Sequence, residues 1–194
     1  RSQRTWDSGG GIVTNSNCST MFLAMALAPL HRTCGVDRVQ VTTMQAISGA
    51  GYPGVASMDI LGNVIPFISG EEDKLETEPR KILGSLNGSD ITLADFGISA
   101  TCTRVPVFDG HLESVSVLLR EDPGPDAAAD IMRAWRGPAG VTDLPSAPAH
   151  PLEVMAEPDR PQPARDVWRQ SGMAAQVGRI RRCPLQTLRF VVLG

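Results

Sequence analysis

Apolar positions along the chain fall in short runs whose period changes from segment to segment, and the period predicts the element. Residues 21–28 are apolar all round and rich in helix formers, which predicts a buried helix stopping near Pro29. Ahead of it, Ile12 and Val13 lead into Thr14-Asn15-Ser16-Asn17-Cys18-Ser19-Thr20, a polar cluster that ends one element and can cap the next. Residues 38–43 alternate apolar with polar, the signature of a half-buried strand, and run into the Gly-rich turn 48–54. Residues 71–83 interleave charges with Leu75, Ile82 and Leu83, an exposed helix disturbed at Pro79. Two β-like runs, 98–107 and 112–119, are joined by Phe108-Asp109-Gly110-His111, and Asp-Gly between alternating segments signals a hairpin or sharp turn. Residues 126–135 read as a short amphipathic helix, capped by Asp126 and stopped by Gly137. Seven prolines between 137 and 165 predict a long irregular excursion along a surface, and residues 187–193 a final strand. No internal repeat is visible. Strands in bulk with helices between them, without regular βαβ alternation, predict an α+β fold with a mixed or antiparallel sheet.

Composition narrows the function. Of 194 residues, 42% are hydrophobic and 20% charged, an ordinary globular balance for one large domain or two small ones. Eighteen basic and twenty-one acidic side chains leave a net charge of −3, and basic residues gather only at 179–182, so binding to nucleic acid has little electrostatic support. The longest apolar run, 21–30, falls well short of the about 20 residues that cross a bilayer as a helix. Cys18, Cys34, Cys102 and Cys183 lie far apart with no C-x-x-C spacing, which reads as free thiols in a reducing, cytoplasmic compartment and as no metal site. The sequence opens on Arg1 and stops at Gly194 directly after an apolar run, which reads as a piece of a longer protein.

Candidate chemistry starts with Cys18. A cysteine on the first turn of a helix meets backbone N–H dipoles that favour the thiolate, pull its pKa below about 8.5 and make it a nucleophile for acyl transfer. The plain alternative is a small buried hydrophobe, as most free cysteines are. His111, presented after a Gly in a tight turn, is the best-supplied acid or base of the three histidines, since His31 and His150 sit beside irregular chain. Arg104, seven residues earlier, carries a fork suited to a carboxylate, against the alternative of a surface ion pair. The stretch 49–54 matches G-x-G-x-x-G, with Glu71 and Glu72 about 20 residues on. Pro53 and the lack of a following helix favour a tight turn whose backbone approaches a ligand over a dinucleotide fingerprint.

Together these segments resemble the catalytic and dimerisation domain of the aspartate-semialdehyde dehydrogenase family. Asn15-Ser16-Asn17-Cys18-Ser19-Thr20 resembles its nucleophile motif, and Gln45-Ala46-Ile47-Ser48-Gly49-Ala50-Gly51 its second signature. Arg104 to His111 resembles its Arg-to-His stretch, and Glu71 with Lys74 its E-x-x-K substrate motif. The loop 51–54 and the run 157–163 are similar to the archaeal and fungal branch.

The resemblance implies Cys18 as nucleophile, His111 as general acid/base and Gln45 orienting the substrate or thioester. It also implies Arg104 and Glu71 on the substrate's α-carboxylate and α-amine, Lys74 on phosphate, and Ser48, Gly49 and Gly51 near the nicotinamide of NADP. The implied reaction is reductive dephosphorylation of L-4-aspartyl phosphate to the semialdehyde, in lysine, threonine, methionine and isoleucine biosynthesis. The implied fold is a mixed, largely antiparallel sheet with helices on one face, like the C-terminal domain of glyceraldehyde-3-phosphate dehydrogenase, assembled as a homodimer or homotetramer. On this reading residues 1–194 are one catalytic and dimerisation domain, the NADP-binding domain lies outside the sequence, and the fragment alone turns over negligibly. N-acetyl-glutamyl-phosphate reductase, a malonyl-CoA reductase-like enzyme and an idle dimerisation fragment are the competing readings.

Overall fold

The computed structural model describes residues 14–88 and 90–194; the expectation for Ile12 and Val13 lies outside them. Helix α1 spans Cys18–Cys34, with Asn17 as N-cap: its side chain accepts the Thr20 N–H at 3.2 Å. The helix does not stop at Pro29, contrary to expectation. A proline inside a helix costs about 3 kcal/mol. Leu23, Leu27 and Leu30 are fully buried along this helix, and burial of each such side chain contributes about 1.5–3 kcal/mol. The buried stripe wins.

Strand β1 (Val36–Gln45) follows, longer at both ends than its alternating core predicts. A short 3₁₀ turn at Ile47–Ala50 and a one-turn helix α2 (Ser57–Ile60) lead to α3 (Glu71–Ile82), which also runs through its proline, Pro79. Strands β2 (Ser85–Asn87) and β3 (Asp90–Thr92) form a small antiparallel pair of their own. The main elements then continue with β4 (Gly97–Arg104), β5 (Leu112–Leu119) and α4 (Gly124–Ala134). Asp126 lies in the first turn of α4 and does not cap it; Asp122 takes the Gly124 N–H at 2.9 Å instead. Within the Pro-rich stretch only β6 (Leu152–Val154) and the single turn α5 (Pro163–Asp166) are regular. Strands β7 (Ala175–Arg182) and β8 (Leu188–Leu193) close the fold.

Six strands form one sheet in the order β4-β1-β5-β8-β7-β6, with β4 and β6 parallel to their neighbours and the other pairings antiparallel. The mixed, largely antiparallel sheet is the expected one, but β4 and β5 are not a hairpin: β1 lies between them. Their connection spends its backbone hydrogen bonds on the chain leaving β1, through Val105 N–H to Gln45 O, Ile47 N–H to Val107 O and Ser48 N–H to Phe108 O.

Val39, Val41, Val115, Val117, Leu188 and Phe190 project from one face into a single core with Leu23, Leu27 and Leu30 of α1, Leu75 of α3 and Met132 of α4. The alternate residues Gln40, Thr42, Ser114 and Arg189 are exposed on the other face. Helices therefore cover one face of the main sheet. Helix α3 was expected as an exposed charged helix, yet two of its carboxylates face the sheet: Glu72 accepts the Cys102 N–H at 3.0 Å and Glu76 the Ala100 N–H at 2.9 Å. These bonds occupy the free edge of β4, which would otherwise present unpaired donors to other strands.

Candidate active site

The candidate residues meet at one end of the sheet because that is where six elements begin or end. Gln45 closes β1 and pairs in register with Arg104, which closes β4. His111 directly precedes β5, and its backbone exchanges hydrogen bonds with Gly194, after β8, at 2.8 and 3.2 Å. Cys18 opens α1 and Glu71 opens α3.

Glu71 is the hub. One carboxylate oxygen accepts from Asn17 Nδ2 at 2.8 Å and Gln45 Nε2 at 3.2 Å; the other pairs with Lys74 Nζ at 3.3 Å. Burial pushes this carboxyl up, but Asn17, Gln45 and Lys74 together hold it below its ordinary range, so it is ionised near neutral pH. Gln45 is buried and also donates to Thr43 Oγ1 at 3.4 Å. Lys74 lies half exposed at the rim.

Arg104 and His111 are both buried and both anchored on Ala46: Arg104 donates to its carbonyl at 2.7 Å, and its N–H donates to His111 Nδ1 at 3.1 Å. With Nδ1 occupied as acceptor, the neutral ring carries its proton on Nε2. Burial and the neighbouring Arg104 guanidinium lower the His111 pKa, so neutral imidazole is the resting form. Gly49 stacks against the pair: a methyl there would lie 2.7 Å from His111 Nε2 and 2.8 Å from an Arg104 nitrogen. Ser48, Gly49 and Gly51 form the exposed lip of the same corner, and Gly51 adopts φ +66°, which favours glycine.

Cys18 corrects one expectation. Burial raises its pKa above the ordinary thiol value and the nearby Glu71 carboxylate raises it further; backbone donors at the start of α1 lower it, but less. The resting residue is therefore the thiol. The thiol that is lowered is Cys183, where backbone donors of Leu185 and Gln186, with Ser116 and Arg189, outweigh burial. Cys34 and Cys102 are buried in the core, as structural cysteines are.

Asn17 is a site residue that sequence reasoning left unassigned, joining the cap of the Cys18 helix to Glu71. Its signal was the side-chain acceptor just before a helix. A wide groove also runs between α1, the end of α3 and residues 135–151, but no candidate catalytic side chain lines it. Among the described residues no group of three or more His, Cys, Asp or Glu could hold a metal ion, and no helix is long and apolar enough to cross a membrane.

Cys18, half buried at the start of α1 and near the fixed Glu71 carboxylate, thus shares one end of a mixed α+β scaffold with the anchored His111–Arg104 pair. The model of the semialdehyde dehydrogenase dimerisation domain matches residues 27–194, and the chain belongs to that family. It is 47% identical over its whole length to the aspartate-semialdehyde dehydrogenase of Archaeoglobus fulgidus, covering 54% of that protein. The crystal structure of aspartate semialdehyde dehydrogenase with NADP from Candida albicans superposes with TM-score 0.86 at 42% identity, over 95% of this chain and 52% of that one. The Vibrio cholerae aspartate semialdehyde dehydrogenase II complexed with ASA gives TM-score 0.74 at 26% identity, over 94% and 56%. The chain thus spans about half the length of the relatives it matches.

Proposed function

We propose that this chain is the catalytic and dimerisation part of an NADP-dependent aspartate-semialdehyde dehydrogenase, which converts L-4-aspartyl phosphate to the semialdehyde through a thioester on Cys18. The observation that carries the reading is the fixed, ionised Glu71 beside Cys18. An α-ammonium bound there neutralises the charge that keeps the thiol protonated, so the correct substrate itself eases formation of the thiolate.

The Cys18 thiol gives its proton to water, and Sγ then attacks the acyl carbon. The C–S bond forms, the C–O bond to phosphate breaks, and phosphate leaves with the electron pair, assisted by the positive charge of Lys74. Gln45 and the Nε2–H of His111 orient and polarise the carbonyl oxygen; after reduction the C–S bond breaks, the semialdehyde leaves, and His111 relays a proton from water to the Cys18 sulfur. Arg104 receives the substrate α-carboxylate. The exposed backbone at Ser48, Gly49 and Gly51 fits the nicotinamide end of NADP, because it has no side chain at Gly49 and lies against His111. NADPH, when bound, supplies the hydride that reduces the thioester. We further propose assembly as a homodimer or homotetramer, supported by the family to which the chain belongs.

Competition between acyl phosphates tests the substrate. β-Aspartyl phosphate should acylate the chain, N-acetyl-glutamyl phosphate should not, and Glu71→Gln should narrow the difference. Equal acylation by both compounds would contradict the assignment.

A further inference from the structure

The face of the sheet beneath the helices is apolar except next to the site. Cys102 of β4, Thr43 of β1 and Glu113 of β5 stand side by side in register, two residues along from Arg104, Gln45 and His111. Glu113 is fully buried and neither of its oxygens has a hydrogen-bond partner. It is not a member of the Glu71 network, and no step above uses it. A buried carboxyl without partners is among the costliest groups a protein can hold, so its presence calls for a reason.

The first turn of α1 supplies matching groups. Ser19 and Thr20 directly follow Cys18; both are buried, the Thr20 hydroxyl is also without a partner, and the Ser19 hydroxyl lies against the Cys18 sulfur. α1 packs on β1 and β5, the strands that carry Thr43 and Glu113. Its first turn is fixed at this end of the sheet: a methyl on Gly194, which is bonded to His111, would run into Phe22. Glu113 and Thr20 thus carry unpartnered buried oxygens on elements that pack together at the end of the sheet where the Cys18 helix begins, with the Ser19 hydroxyl beside them in sequence.

We infer that Glu113 is a positioning residue of this site, whose carboxyl group bridges to the Ser19 and Thr20 hydroxyls, directly or through bound water, and fixes the turn that presents Cys18. Burial holds the Glu113 carboxyl well above its ordinary range, consistent with an acid that donates to a hydroxyl. A buried water with two or more polar partners is an ordinary element of such layers. The bridge acts on Cys18 through its helix and touches no substrate. It rests on the reading of Cys18 as nucleophile only for its consequence, since the bridge itself is measurable without chemistry.

Hydrogen exchange and infrared spectroscopy test the bridge; alkylation of Cys18 by iodoacetamide tests its consequence. In Glu113→Leu, which removes the carboxyl but keeps its bulk, the Thr20, Met21 and Phe22 amides should exchange about tenfold faster relative to Val115. Alkylation of Cys18 should slow relative to that of Cys34. Glu113→Gln, which keeps a donor and an acceptor, should stay within about threefold of the parent in both readouts. The parent should show a protonated-carboxyl infrared band that Glu113→Gln lacks and that shifts in Ser19→Ala/Thr20→Val. Should Glu113→Leu fail to fold, the band and the double variant decide. Unchanged exchange in Glu113→Leu, or a band insensitive to Ser19 and Thr20, would overturn the bridge. Normal bridging with no acylation of Cys18 would instead contradict the proposed function.

Discussion

The covered face of the sheet has two ends, and they are built for different purposes. At one end, Val39, Val41, Val115, Val117, Leu188 and Phe190 interlock with α1 and α4, and every side chain is apolar. At the other, β1, β4 and β5 carry Thr43, Gln45, Cys102, Arg104 and Glu113, all buried and all except Cys102 polar or charged. The first end stabilises by removing apolar surface from water. The second costs stability, because buried polar groups must be desolvated and then held by hydrogen bonds, as Glu71 holds Gln45 and the Ala46 carbonyl holds Arg104. One continuous strand thus serves both as scaffold and as mount, with the site at the end where α1 and α3 begin.

Substitutions should separate the two ends. The largest effect belongs to the apolar end: Phe190→Ala should cost about 3–5 kcal/mol in urea unfolding. Next, Gly49→Ala places a methyl against His111 and Arg104. It should slow acylation about a hundredfold while leaving the unfolding midpoint nearly unchanged, since a misplacement of roughly 1 Å at a reacting centre costs that much. Acylation by stopped-flow and unfolding on the same sample would show whether the ends are separable. Loss of stability equal to that of Phe190→Ala would merge them.

The smallest effect is electrostatic. Glu71 raises the Cys18 thiol, so Glu71→Gln removes a charge that disfavours the thiolate. The curve of Cys18 alkylation rate against pH should move to lower pH, giving faster reaction at neutral pH although substrate binding is weakened. A shift to higher pH would mean that the carboxylate activates the thiol.

Much of this architecture was legible in the sequence, and its gaps have physical causes. Apolar patterning located β1, β5, β8 and the three longer helices α1, α3 and α4, but not the single-turn helices α2 and α5. It ended α1 at Pro29 because local propensity does not register the burial of Leu30 and Cys34 beyond it. The Asp-Gly signal located a real turn, with Gly110 at φ +87°, but a turn does not reveal which strand slides in between. Strand β7 escaped notice because its first four residues are buried on both faces, with Gly178 under the Arg160–Pro161 backbone, so it has no alternation to read.

At the site, Cys18, His111 and Arg104 stood out by residue type and position, and Gln45 and Glu71 through the motifs that resemble the family. The raised Cys18 pKa did not, because burial and the approach of Glu71 are tertiary facts. Glu113 did leave a trace: in 112–119 the alternation puts it on the same face as Val115 and Val117, a charge where an apolar residue is due.

The central claim is that Cys18 becomes acylated at the polar end of the sheet. Mixing the chain with fresh β-aspartyl phosphate, quenching in acid and mapping the adduct by mass spectrometry tests it most directly, with Cys18→Ser alongside. The account predicts a single aspartyl thioester on Cys18, absent from Cys18→Ser. An adduct on Cys183 instead, where the thiol is the more acidic one, or no adduct on the folded chain, would contradict it.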